Sequence, residues 1–297
     1  MSSIRVNPYI LPDLLSALAG TRQQQDTATL ELATGSRINK PSDDPGGAAA
    51  LVANRDQGSQ TDSFLQSGSS VSGLLQTADS TLSSVVTALT RAVSLGVQGA
   101  NGTLSDADRA DVASELTGIQ QQLISLGNTS YQGEFIFAGT STAKPFVADN
   151  TSPSGVTYTG NAGTNSIAAG PNYSLAINVP GSQIFTAAGS DVFQSISDLI
   201  GALQSNANIG AAVNEVKSSF DHITGQRVFY GNALNQLQSQ TTFLNSEKVD
   251  LAAAANNISA ADLATVATQL TQSQVAVSAE LSAISRISQN SLFDYLK

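Results

Sequence analysis

The side chains that most often perform catalysis or hold metal ions are scarce in this sequence. His222 is the only histidine, and the 297 residues include no cysteine. A site with several histidine ligands is therefore impossible, and a Ser–His–Asp triad would have to use His222. The lack of cysteine excludes disulfide scaffolds, cysteine nucleophiles and thiolate metal sites. We interpret His222 as a surface or interface residue, and we predict no enzyme activity, no cofactor and no metal site.

The acidic clusters have a structural explanation. Asp44 precedes Pro45, a pair typical of a helix N-cap followed by proline in the first turn. Ser105 and Asp108 have the spacing of a capping box, and Asp106 adds negative charge at the same helix start. The ligand rhythm of a calcium loop and the glycine pattern of a phosphate loop are both missing.

The charge and hydropathy of the chain argue against two classes of partner, nucleic acids and membranes. Thirteen Lys and Arg face 23 Asp and Glu, so the net charge is −10. Nucleic-acid binding without sequence preference needs a basic patch, so we expect no nucleic-acid partner. The sequence has no apolar run approaching 18 residues, so we expect no membrane span. The first residues lack a secretory signal, which predicts either a cytoplasmic protein or export without a cleaved signal.

Proline and glycine divide the chain into three regions. All eight prolines lie from Pro8 to Pro180, and none lies between Pro45 and Pro145 or after Pro180. Because proline costs about 3 kcal/mol inside a helix, the two proline-free stretches favour long helices. The segment 131–189 alternates aromatic, β-branched and turn residues, which predicts short strands, with candidates over 131–138, 156–160 and 173–181.

Both ends of the chain show sustained heptad spacing, which is typical of coiled-coil packing. The N-terminal seam has polar residues at Thr21 and Gln25, either to fix register or as part of a solvated face. Its apolar members are Leu11, Leu14, Leu18, Ala28 and Leu32. The C-terminal seam follows a helix predicted for about 211–255, a break at Asn256-Asn257 and a restart with Ser259 as N-cap and Asp262 at N3. Its members are Leu263, Val266, Leu270, Val277, Leu281 and Ile284.

Two inner stretches keep the same rhythm, over 71–89 and 112–126, and helical spacing also returns over 193–203. For the inner pair, ordinary amphipathic helices in a monomeric bundle remain an alternative. The predicted fold is mainly α with a small β insert: an elongated rod of antiparallel coiled-coil helices formed by both chain ends, with the β-rich domain at the far end.

The expected domains are a terminal coiled-coil core (1–40 plus 256–297), a helical rod (41–130 plus 190–255) and a small outer β domain (131–189). Burying a large apolar side chain contributes roughly 1.5–3 kcal/mol. Ordering each residue costs about 1–2 kcal/mol. One thin seam therefore gives little net stability, and we expect the terminal core to fold only in an assembly.

Three stretches together resemble the flagellin superfamily, in particular its hook-associated proteins at the hook–filament junction. The first is the turn over 32–48, LATGSRINKPSDDPGGA; the second is 127–139, GNTSYQGEFIFAG; the third is the closing SLFDYL over 291–296. The resemblance selects turn residues Gly35, Arg37, Ile38, Asn39, Asp43 and Asp44, and tail residues Leu292, Phe293, Tyr295 and Leu296.

The resemblance implies a static structural component of the bacterial flagellum that is exported unfolded, without a cleaved signal, to the outside of the cell. Implied partners are further copies of the chain, a neighbouring hook-associated protein, flagellin and an export chaperone, with the C-terminal seam used first by the chaperone and then by the assembly. A filament-forming flagellin and a secreted coiled-coil adhesin are the alternatives.

Overall fold

Helices account for most of the computed structural model, which describes residues 10–289. The seven helices of this range are α1 (Ile10–Thr34), α2 (Pro45–Gly99), α3 (Asp106–Gly127), α4 (Gly181–Ile184), α5 (Val192–Ser205), α6 (Ile209–Ser259) and α7 (Leu263–Gln289). The predicted class, mainly α with a small β insert between long helices, is confirmed.

Short strands between α3 and α4 form three separate antiparallel pairs. They are β1 (Ser130–Tyr131) with β2 (Glu134–Phe135), β3 (Phe146–Ala148) with β4 (Val156–Tyr158), and β5 (Ser166–Gly170) with β6 (Tyr173–Ala176). Strands this short do not form a stable sheet by themselves. The insert therefore depends on side chains that anchor it to the helices.

The described chain divides into two compact units. We call residues up to 59 together with those from 248 onward the terminal unit, and Gln60–Glu247 the central unit. The three-part division expected from the sequence stays a prediction.

The inner heptads form the core of the central unit. The heptad positions of α2 from Val71 to Leu89 are all buried, and the heptad positions of α3 are buried from Val112 to Leu123. Leu126, the last member of the α3 series, is half-buried. The α3 helix packs against α5, whose Phe193, Ile196, Leu199 and Leu203 are also buried. This packing gives the central unit its own hydrophobic core.

Aromatic rings anchor the β insert to this core. The Phe146 ring lies 5.1 Å from the rings of both Phe185 and Phe193 and 5.2 Å from that of Tyr158, measured between centroids. Tilted and edge-on ring pairs at such distances add about 0.5–1.5 kcal/mol each beyond burial. The cluster replaces the sheet core that short strands cannot supply.

Hydrogen bonds hold the segment 173–183 against α6. The Val179 amide donates to the buried Tyr230 hydroxyl at 3.4 Å, and the Tyr173 hydroxyl donates to Gln236 Oε1 at 3.1 Å. His222 is half-buried, and its Nε2 lies 2.8 Å from the Gln183 carbonyl. The single histidine therefore has a structural contact of its own.

The helix caps agree with the sequence except at one boundary. Asp44 caps α2, and Ser105 and Asp108 form a capping box on α3. The predicted break at Asn256-Asn257 is wrong, because α6 continues to Ser259. The predicted N-cap Ser259 is also wrong, because Ser259 is the last residue of α6. Asp262 caps α7 instead, since its Oδ1 accepts from the amides of Ala264 and Thr265 at 3.1 and 3.3 Å. Both asparagines are exposed and remain helical, because tertiary context overrides their weak propensity.

The strands also differ from prediction. A single strand over 131–138 is wrong, because the positive φ of Gln132 and Gly133 turns the chain back between β1 and β2. Nothing in the sequence pattern predicted β3, β5 or α4.

Among residues 10–289, α2 alone is long and apolar enough to cross a membrane by length and composition, although the sequence lacks a continuous apolar run. Of its most apolar window, 44% is buried within the protein.

Two glycines of opposite environment test this packing. A Cβ at Gly181 would lie 2.6 Å from the Phe137 carbonyl oxygen and 2.9 Å from the Phe146 ring, whereas one at exposed Gly225 would meet no atom within 4 Å. We expect Gly181→Ala to lose roughly 1–3 kcal/mol through overpacking. Gly225→Ala, the matched control, should gain about 0.5–1 kcal/mol. Urea unfolding followed by circular dichroism measures both, and an unchanged midpoint for Gly181→Ala would contradict the packing.

Candidate assembly site at the paired chain ends

The two terminal helices pack against each other within the terminal unit. They are antiparallel, because Thr21 contacts Glu280 while Ser36 pairs with Ala260. The buried or half-buried stripe of α1 runs through Leu14, Leu18, Thr21, Gln25 and Ala28. The matching stripe of α7 runs through Val266, Leu270, Ser273, Val277, Glu280 and Ile284. Both stripes keep the heptad rhythm, as the sequence predicts for coiled-coil-like packing.

Four of the predicted seam residues lie outside this contact. Leu11, Leu32, Leu263 and Leu281 are 41–52% exposed. Beyond Ala28 the inward position of α1 is Glu31 rather than Leu32, because a helix of 3.6 residues per turn drifts from a seven-residue repeat. The outward leucines are therefore available to other molecules, and their role in assembly stays a prediction.

A polar layer interrupts the seam at its middle. The Thr21 hydroxyl lies 3.1 Å from Glu280 Oε1 and 3.0 Å from the Ala17 carbonyl, and its single proton can be donated to only one of them. The other oxygen, Glu280 Oε2, is buried without a hydrogen-bond partner in the described part of the chain. Replacing an apolar pair by such a layer lowers the stability of a two-helix seam, while specifying its register.

Sequence reasoning missed Ser273 and Glu280, although the signal was present. They lie seven and fourteen residues after Val266, so they share its heptad position. Because the prediction favoured apolar side chains, it assigned Leu281 to the seam instead of Glu280, the residue before it.

A backbone bridge joins the end of α1 to the start of α7, and we call it the clasp. Gly35 ends α1 with a φ of +68°, a conformation that glycine adopts without strain. The Arg37 amide then donates to the Ser259 carbonyl at 2.8 Å, and the Ala261 amide donates to the Gly35 carbonyl at 3.0 Å. These bonds set the register from which the two helices run back together.

The turn residues selected by the resemblance build the clasp from one side. Asn39 Nδ2 donates to the Ser36 carbonyl at 2.6 Å. Asp43 Oδ2 accepts from the amides of Asn39 and Lys40 at 3.0 and 2.8 Å. Side chains of the turn therefore pair with several of its own backbone groups, as Asn and Asp commonly do in turns. Ile38 is half-buried beside Gly47, where a Cβ would lie 2.6 Å from Ile38 Cδ1.

Asp44 joins the turn to the next helix. Its Oδ1 accepts from the Gly47 amide at 2.9 Å, and its Oδ2 lies 2.9 Å from Arg37 Nη2. The Gly47 hydrogen bond, together with the Arg37 guanidinium, lowers the pKa of the Asp44 carboxyl. Likewise, the Thr265 hydroxyl and amide lower the pKa of Asp262 at the start of α7.

The outer surface of the terminal unit is unusually apolar. Eleven of the sixteen large apolar side chains that are exposed among the described residues belong to it, although it is the smaller unit. They are Ile10, Leu11, Leu15, Leu30, Leu32, Val52, Val249, Leu263, Val275, Leu281 and Ile287. We expect a unit with so many exposed apolar side chains to bury part of them against other protein surfaces.

A groove of about 710 Å³ runs between α1 and α7 and is lined mainly by polar and small side chains. Glutamine side chains line it from both helices: Gln23, Gln24, Gln269 and Gln272. Within residues 10–289, no group of three or more His, Asp or Glu side chains could hold a metal ion. The apolar outer surface and the polar groove of this unit therefore suit contacts between chains. The predicted tail residues Leu292, Phe293, Tyr295 and Leu296 lie outside the described residues.

Comparison with known proteins gives a family match in the N-terminal half of the chain and relatives that align over most of its length. Residues 13–142 match the family model for the bacterial flagellin N-terminal helical region. The chain is 28% identical over 236 residues to flagellar hook-associated protein 3 of Escherichia coli (strain K12), covering 70% of this chain and 73% of that protein. It is 26% identical over 271 residues to flagellin of Listeria monocytogenes, covering 87% and 86%.

Solved structures share the fold. A flagellar hook-associated protein from Vibrio parahaemolyticus superposes with a TM-score of 0.67 at 21% identity, over 73% of this chain and 100% of that one. The flagellar junction protein FlgL from Legionella pneumophila gives 0.58 at 16% identity, over 71% and 100%. The resemblance stated from the three sequence stretches is confirmed.

The Asp44 carboxylate makes the stability of the terminal unit depend on pH. Because its pKa is lowered on folding, its contribution is present above the unfolded value of 3.8 and is lost as the pH falls through the folded value. We expect Asp44→Asn to melt at a lower temperature than the wild type at about pH 6 and at the same temperature near pH 2. Asp26→Asn, which removes an exposed carboxylate of α1, is the control. A difference that persists in acid would contradict this role.

Proposed function

We propose that this chain, a relative of flagellar hook-associated protein 3 in the flagellin superfamily, is a structural component of the bacterial flagellum. In this proposal it forms the junction that joins the hook-associated layer to the filament. The observation that carries the proposal is made in the terminal unit. Its α1–α7 seam is interrupted by polar side chains, and the same unit holds most of the large apolar side chains that are exposed among the described residues. A unit of this kind becomes stable when other chains cover its outward faces.

The terminal helices are the proposed assembly elements. The inward stripe, from Leu14 to Ala28 and from Val266 to Ile284, holds α1 to α7 in one chain. The outward residues, among them Leu11, Leu32, Leu263 and Leu281, contact neighbouring chains. The predicted seam thus divides into residues that pair the helices and residues that pair the subunits. The clasp fixes which residues face outward.

A junction layer must contact a bent hook on one side and a rigid filament on the other. Subunit contacts that stabilise helices only on docking suit this position, because the ordering cost is met only at the correct site. The terminal core (1–40 plus 256–297) is then assembly-dependent, and the β-rich segment (131–189) faces outward. Partners in this arrangement are further copies of the chain, a neighbouring hook-associated protein and flagellin.

The proposed location is outside the cell, after export by the flagellar apparatus without a cleaved signal peptide. An export chaperone is the proposed partner before assembly, and it binds the C-terminal helix. The chain carries no enzyme activity in this proposal, and neither nucleic acid nor membrane is a partner. The single histidine, His222, contacts the backbone carbonyl of Gln183, so a structural role accounts for it.

Filament-forming flagellin is the second candidate. The Listeria flagellin alignment covers nearly equal shares of both chains, so length does not separate the two roles. A secreted adhesin would require a ligand for the insert at 131–189.

A clean deletion strain tests the proposal. We expect electron microscopy to show hooks without filaments, and we expect unpolymerised flagellin in the growth medium. Normal filaments on the deletion strain would contradict the junction role. Loss of filaments together with loss of the secreted flagellin pool would favour the flagellin alternative.

Complementation of that strain tests the outward residues. We expect the double variant Leu263→Asp and Leu281→Asp to be exported yet to restore few or no filaments, because charge on an apolar contact face prevents docking. Both side chains are exposed, so the fold of the single chain should be retained. Val147→Asp, a matched exposed site on the insert, should restore normal filaments. Full motility of the double variant would contradict the proposed contact.

The chaperone step has its own test on the purified chain. We expect Leu270→Asp together with Leu281→Asp to weaken binding of the cognate flagellar export chaperone at least about tenfold, or ~1.4 kcal/mol, in isothermal titration calorimetry. Val249→Asp, at an exposed position of α6, is the control. An unchanged affinity of the double variant would place the chaperone elsewhere.

A further inference from the structure

The turn between α2 and α3 contains the only Asn-Gly pair of the sequence, Asn101-Gly102. Both residues are exposed, and they lie between the end of α2 at Gly99 and the start of α3 at Asp106. This turn belongs to the central unit, whereas the assembly helices of the proposed function belong to the terminal unit.

The side-chain amide of Asn101 is held by the turn. Its Oδ1 lies 3.3 Å from the Thr103 amide nitrogen and 3.0 Å from the Thr103 hydroxyl, and both donate to it. This is the local ring that asparagine forms with the backbone two residues on. Two donors on Oδ1 draw electron density from Cγ and make it more electrophilic, as donors to a carbonyl oxygen do in acyl transfer.

The neighbouring nucleophile is unhindered. Gly102 has no side chain, and an added Cβ would meet no atom within 4 Å. The Gly102 amide donates to no backbone carbonyl in the described part of the chain, whereas the amides of Asn101 and Leu104 in the same turn do. Chain flexibility at glycine lets this nitrogen approach the Cγ of Asn101.

We propose that Asn101 is a site of spontaneous covalent modification, by succinimide formation and hydrolysis. The Gly102 nitrogen, on losing its proton, attacks Asn101 Cγ and forms a new C–N bond. The bond from Cγ to Nδ2 breaks, and the side-chain nitrogen leaves with that proton as ammonia. Water then opens the ring at either carbonyl, leaving aspartate or isoaspartate. The only co-reactant is water, and no electrons are transferred.

Three other asparagines of the central unit differ from Asn101 in their surroundings. Asn128 donates from Nδ2 to the carbonyls of Ile124 and Phe146, both at 2.8 Å, and Asn178 is buried. Asn150 is exposed but precedes Thr151, whose side chain hinders the attack of its nitrogen. Asn150 therefore serves as the internal reference: it is exposed to solvent, as Asn101 is, but it is not followed by glycine.

The modification changes the start of α3. Either product places a new negative charge in the turn, and isoaspartate also lengthens the backbone by one methylene. The Asn101 carbonyl accepts from the Leu104 amide at 3.1 Å, and the Leu104 carbonyl accepts from the buried Arg109 guanidinium at 2.7 Å. The lengthened backbone therefore alters a hydrogen-bonded link to the first turn of α3.

Incubation of the purified full chain at 37 °C in mildly alkaline buffer tests the proposal. Peptide mapping by mass spectrometry follows the gain of mass at each asparagine, and isoaspartyl methyltransferase labelling reports the rearranged product. We expect conversion at Asn101 at least about tenfold faster than at Asn150, equivalent to ~1.4 kcal/mol in activation free energy. Equal rates at the two sites would overturn the proposal.

Two variants distinguish the effect of the turn geometry on the conversion rate from the effect of the Asn-Gly sequence itself. Gly102→Val fits the open space and should abolish conversion, while circular dichroism checks that the fold is kept. Thr103→Val removes one donor to Oδ1 and should slow conversion in the folded chain but not in urea. Two results would contradict activation of Asn101 by the turn. One is an unchanged conversion rate for Thr103→Val in the folded chain. The other is a wild-type conversion rate that is far lower in the folded chain than in urea.

Discussion

The clasp between residues 35–37 and 259–261 is the constraint on which the terminal unit depends. It joins segments more than two hundred residues apart through two backbone hydrogen bonds, of 2.8 and 3.0 Å. Because Gly35 reverses the chain with a positive φ and Asp262 caps the helix that follows, α1 and α7 run back from the clasp in a fixed register. That register places Leu18 and Val266 inside and Leu263 and Leu281 outside.

The two units differ in how they place their apolar side chains. The central unit buries continuous apolar stripes and an aromatic cluster around Phe146, and three short strand pairs are anchored to that core. The terminal unit interrupts its seam with Thr21, Ser273 and Glu280 and leaves leucines and valines exposed. In the proposed junction, the first supplies a stable body and the second supplies contacts that are completed by neighbouring chains.

Sequence reasoning succeeded where the cause is local. The caps at Asp44 and Ser105 and the buried α2 series from Val71 to Leu89 follow from short-range chemistry and a heptad count. It failed where distant segments decide: the Ser36–Ala260 bridge cannot be read from either end alone. The same limit applies to strands such as β5, which is stabilised by its partner more than by its own alternation. At the candidate site, Ser273 and Glu280 were within reach of the heptad arithmetic.

Immunogold electron microscopy of intact flagella, with an antibody against residues 131–189, tests the junction role most directly. The antibody targets the segment that the proposal places on the outside, and preparations from the deletion strain provide the background. A single narrow band of label at the base of each filament is the predicted result. Label along the whole filament would contradict the junction role in favour of flagellin, and label elsewhere on the cell surface would contradict a flagellar role altogether.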